Sequence, residues 1–107
     1  MPDLHDSLFR SLADPTRRAI FERLCRDGEQ TVAALTAQAG VSQPAVSKHL
    51  GVLKHSGLVR DRRAGRQTHY SAQFGALAPL IDWAGQMTGG REGKFDALDD
   101  LLKRLHQ

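Results

Sequence analysis

The chain is short of the residues on which covalent and redox chemistry depend. Cys25 is its one cysteine, so no disulfide can close within the chain, and a reducing cytoplasm is the expected setting. No apolar run approaches the roughly 20 residues that span a bilayer, and no membrane partner is expected. The start, "MPDLHDSLF", has neither a basic segment nor an apolar stretch, so no secretion signal is expected from it. A glycine-rich phosphate loop, a nucleophile motif and paired carboxylates in a recognisable frame are all missing, which argues against an enzyme. The acids of "DALDD" share a helix with leucines on its other face, as solvated surface does. There is no internal repeat and no low-complexity segment.

What is present is charge concentrated in one place. A length of 107 residues suits one domain, and 40% hydrophobic with 25% charged residues is the composition of a soluble globular protein. The net charge is only +3. Between residues 42 and 72, however, Lys48, Lys54, Arg60, Arg62, Arg63 and Arg66 face Asp61 alone, whereas the segments on either side each carry a net −1. A focused basic stretch points to a polyanionic partner. A basic but merely solvated surface is the plainer alternative.

The patterning predicts mainly helix with one small hairpin. Leu4, Leu8, Phe9 and Leu12 recur as on one face of a first helix. Asp14 is the expected N-cap of a second, with Pro15 at its first position, Ile20, Phe21, Leu24 and Cys25 inward and Gly28 as the stop. Thr31 caps a short third helix, and Gly40-Val41 turns the chain into a fourth that Ser42 caps. In that fourth helix Val46, His49, Leu50 and Leu53 form the core stripe, leaving Gln43, Pro44, Ser47 and Lys48 outside. Two short helices around a glycine turn, the second polar outside, make a helix-turn-helix over about 31–56. "LVRDR" and "QTHYSA" around "RAGR" make a β-hairpin over about 58–72, with Gly65 at positive φ. A helix over "FGALAPLIDWAGQM" and a leucine-rich last helix over about 93–106 complete the chain.

Those exposed side chains suit a DNA groove. Gln43 can present its amide to an adenine edge, Ser47 can donate or accept, Pro44 can touch a thymine methyl, and Lys48 can reach guanine or phosphate. The helix N-terminus adds free N–H groups for a phosphate oxygen. Arg62, Arg63 and Arg66, with Lys54 and Gln67 beside them, would hold the backbone or enter a narrow minor groove. Tyr70 is expected to pack the hairpin against the domain, and His69 to be solvated. Arg17 and Arg18 suit either a phosphate or a solvated helix face.

In "LADPTRRAIFERL", "VSQPAVSKHLGVLKHSGLVRDRRAGRQTHY" and the Trp83 helix, the chain resembles the ArsR family of small bacterial winged-helix repressors. The resemblance implies a cytoplasmic homodimer that binds an imperfect palindrome in double-stranded DNA. It places base readout on Gln43, Pro44, Ser47 and Lys48, with Ser42 and His49 adjoining. The family's metal motifs are absent. "TVAALTAQAG" has no Cys-x-Cys, and Asp82 is followed by Trp83 and Ala84 where one site needs Asp-x-His. The five histidines include no i, i+4 pair, and a soft-metal site wants clustered ligands. No metal or other cofactor is therefore expected, and the inducer is left unassigned.

Dimerisation is expected from apolar excess at the two ends of the chain, over about 3–12 and 93–106. The surface would combine Leu4, Leu8 and Phe9 with Trp83, Phe95, Leu98, Leu101, Leu102 and Leu105. Closure of a monomer core by the same residues is the alternative. Two other functions compete with a DNA-binding repressor: a winged-helix module docking an acidic protein, and a metal-responsive repressor with an unrecognised site. The first would want an aromatic or aliphatic anchor where Gln43, Pro44, Ser47 and Lys48 stand.

Overall fold

Short side chains that bond to the backbone set the helix starts. In the computed structural model, which describes residues 4–89 and 102–105, α1 (Leu4–Ala13) is followed at once by α2 (Pro15–Asp27). Asp14 Oδ1 accepts from Arg17 N at 2.9 Å, and Pro15 occupies the first turn, where no N–H is needed. Gly28 ends α2 at φ +78°, a conformation that disfavours any side chain. Thr31 and Ser42 repeat the capping at α3 (Val32–Ala39) and α4 (Gln43–His55), accepting from Ala34 N and Ala45 N at 3.1 and 3.3 Å.

The chain divides into two compact units, one ending at Leu77 and one beginning at Ala78. The first is held by an aliphatic core in which Leu8, Leu24, Leu35, Val46, Leu50, Leu53 and Leu58 are fully buried. Each such side chain contributes about 1.5–3 kcal/mol on leaving water. Ser11 on α1 hydrogen-bonds to Ser56 just after α4, and Ser56 Oγ donates to Val52 O at 2.8 Å. That polar pair ties α1 to the end of α4.

The hairpin is where the patterning puts it. β2 (Val59–Ala64) and β3 (Gln67–Ala72) run antiparallel, in register from Val59↔Ala72 to Ala64↔Gln67. Gly65 at φ +64° with Arg66 at negative φ forms the two-residue turn. A third strand was not expected: β1 (Gln30–Thr31) pairs Gln30↔Tyr70 and Thr31↔His69, giving the order β1-β3-β2. Two residues are too few for an alternating pattern to show.

The single helix expected from Phe74 onward is divided into a 3₁₀ turn (Phe74–Leu77) and α5 (Ala78–Met87). Pro79 has no N–H and its ring obstructs the carbonyl four residues back, so an α-helix cannot run through from Phe74. Of the leucine-rich last helix, Phe95, Leu98 and Leu101 lie outside the described residues, while Leu102 and Leu105 are exposed.

Candidate nucleic-acid interface

The period of α4 separates its two faces cleanly. Val46, Leu50 and Leu53 are buried, and Ser42, Gln43, Pro44, Ser47 and Lys48 are exposed on the opposite side. Gly51 continues that exposed face, and a Cβ there would meet no atom within 4 Å. The crest is therefore low, polar and open. His49 is a correction. It is half-buried at the edge of the helix, where Arg17 Nη1 donates toward its Nδ1 at 3.4 Å. A ring turned to α2 does not share the exposed face, and we assign it no base readout.

The wing is less free than its composition implies. Arg62 grips Glu29 with one edge of its guanidinium, Nε to Oε2 at 3.0 Å and Nη2 to Oε1 at 2.6 Å. That hydrogen-bonded pair holds the Glu29 carboxyl below its ordinary range and the guanidinium above its own. Lys54 Nζ donates to Asp61 Oδ2 at 3.0 Å. Of the five backbone-contact residues expected from sequence, Arg63, Arg66 and Gln67 are exposed with no ion pair among the described residues, whereas Lys54 and Arg62 are held within the chain. His69, expected to be solvated, is half-buried with Nδ1 3.6 Å from Glu29 Oε1. Tyr70 is half-buried in the central strand, opposite Asp61 on β2 and Gln30 on β1.

At the α1–α2 corner Arg17 donates from Nε to Ser11 O at 2.6 Å and from Nη2 to Arg10 O at 3.3 Å. Arg18 Nη1 donates to Leu12 O at 2.8 Å. Arg17's backbone N–H, hydrogen-bonded to Asp14, keeps that carboxyl below its ordinary range. The half-buried Cys25 thiol is pushed up by burial and by the charge of Glu22, the reverse of what an activated thiolate needs. Leu8 is a second correction. It is fully buried in the first unit, so its surface is not available to a partner. Among the described residues no group of three or more His, Cys, Asp and Glu could hold a metal, and no helix is long and apolar enough to cross a membrane.

A helix-turn-helix domain family matches residues 12–62. The probable mercury resistance operon repressor of Streptomyces lividans is 42% identical over 80 residues, spanning 75% of this chain and 63% of that protein. The transcriptional repressor SdpR of Bacillus subtilis is 32% identical over 78 residues, spanning 73% of this chain and 86% of that protein. Among solved structures, an ArsR family transcriptional regulator superposes with a TM-score of 0.76 at 30% identity, covering 81% of this chain and 94% of the other.

Proposed function

Since the chain belongs to the ArsR family of DNA-binding transcriptional repressors, a class without enzymatic activity, we propose that it acts in the cytoplasm as a homodimer on an imperfect palindrome. Each copy lays α4 in a major groove. Gln43, Pro44 and Ser47 meet base edges, Lys48 meets guanine or phosphate, and the α4 N-terminus offers N–H groups to the backbone. Arg63 and Arg66 at the wing tip take the neighbouring phosphates, and Arg62 joins them only by leaving Glu29.

The observation that carries this is the open polar crest of α4, set on a buried aliphatic stripe that holds the helix rigidly. A two-fold axis would set two such crests about one helical turn of DNA apart, roughly 34 Å. Support for the pairing comes from apolar side chains left exposed on each unit, Leu4 at 54% on α1 and Ile81 at 64% and Met87 at 63% on α5.

Selection of duplexes from a random pool by the purified protein tests it. The expected product is a pair of inverted half-sites whose centres lie about 10 base pairs apart, bound with affinity that falls steeply with salt. A pool that stays random, or binding indifferent to salt, would refute the proposal.

A further inference from the structure

Beside the reading face of α4 lies a pocket of about 490 Å³ that shares Lys48 and Gly51 with that face and is otherwise outside the base-reading and wing roles. It is formed by α1, the start of α2 and the second half of α4. Arg10, Arg17, Lys48 and His55 line it with Ser7 and Gly51, and no acidic residue is among its lining. Of the carboxylates near it in sequence, Asp14 caps α2 and Asp6, beside Ser7 on α1, is exposed and outside the lining. Arg17 is fixed there by two backbone carbonyls, which orient the guanidinium without neutralising it. The lining therefore concentrates positive charge, with Asp14 outside it close enough to Arg17 for their charges to interact.

Its position decides what that charge is for. At 3.6 residues per turn, each residue of α4 advances about 100° around the axis. Gln43 and Lys54 fall on the edge toward the hairpin, where Gln43 shares a cleft with Arg66 and Gln67 and Lys54 bonds to Asp61. Pro44, Ser47 and Gly51 form the crest. Lys48, Val52 and His55 fall on the far edge, along the pocket. A major groove has a phosphate backbone on each wall, and a helix seated in it presents one edge to each. The wing serves one wall only.

We propose that the pocket seats the sugar-phosphate backbone of the other wall, with Arg10 and Arg17 as its anion contacts and Lys48 and His55 closing it from α4. This rests on α4 lying in a groove. It makes the α1–α2 corner part of the DNA-binding surface and brackets α4 between two phosphate contacts, which fixes its register.

The test uses full-length protein with the selected duplex and a duplex of random sequence. Arg10→Gln and His55→Gln alter exposed side chains and keep the Arg10 carbonyl that Arg17 uses. Arg17→Gln is added with a thermal melt, because its guanidinium also braces α1. Arg10→Gln should weaken both duplexes by the same factor and lower the slope of log affinity against log salt by about one unit. Ethylation of phosphates on the wall away from the wing should interfere with the parent but not with the variant. Parent-like slopes and affinities in Arg10→Gln and His55→Gln, on DNA that the parent binds, would overturn the inference. So would inorganic phosphate or benzoate raising the parent's melting temperature through Arg10 while the DNA slope is unchanged, since the pocket would then serve a small anion. A parent that binds no duplex would sink the proposed function first, and this inference with it.

Discussion

At the scale of single residues, the pair between Glu29 and Arg62 shows how charge composition overstates what is free to meet DNA. Arg62 is an exposed arginine on a basic hairpin, yet its Nε and Nη2 are engaged by a carboxylate 33 positions earlier in the chain. The sign of the resulting pH dependence follows from Glu29. Its carboxyl titrates below its ordinary 4.5 in the folded protein, so the pair adds stability above that pH and loses it as the pH falls through the lower, folded value. Glu29→Gln should therefore melt below the parent at neutral pH, and the gap should close as the pH drops below 4.5. High salt should also narrow the gap, because the pair is exposed and screened. A gap that is constant from pH 7 to 3 would mean that the pair contributes nothing through charge.

At the scale of elements, what the sequence made legible is what local chemistry controls. Asp14, Thr31 and Ser42 announce helix starts because an oxygen on a short side chain reaches an N–H three residues on. The two faces of α4 follow from its period alone. For His49 the period gives the core stripe and the resemblance a place beside base readout, and only the arginine of another helix decides which way such an edge residue turns. β1 escaped because two residues carry no alternation, and the Glu29–Arg62 pair because nothing local links its partners. For α4, loss of a base contact should be a loss of discrimination. Gln43→Ala and Ser47→Ala should each cost about 1–3 kcal/mol on the selected duplex and little on random DNA, read by fluorescence anisotropy. Equal losses on both would assign those side chains to the backbone instead.

At the scale of the whole molecule, residues that hold the fold are distinct from residues that would hold a partner. Leu8 and Leu4 share α1, but Leu8 is fully buried and Leu4 is 54% exposed. Leu8→Ala should lower unfolding stability by about 2–5 kcal/mol, as cavity formation in a close-packed core does. Leu4→Glu should instead shift the mass seen by light scattering from two chains toward one and weaken binding to the palindrome more than to a single half-site. A Leu4→Glu protein that remains a dimer would move the interface away from α1.

The central claim is that the exposed crest of α4 enters the groove. Titration of ¹⁵N-labelled protein with the selected duplex, followed by amide chemical shifts, tests it most directly. The largest changes should fall on Gln43, Ala45, Ser47 and Lys48, with a second group at Gly65–Gln67. Saturable binding that left the α4 amides unmoved while others shifted would contradict it.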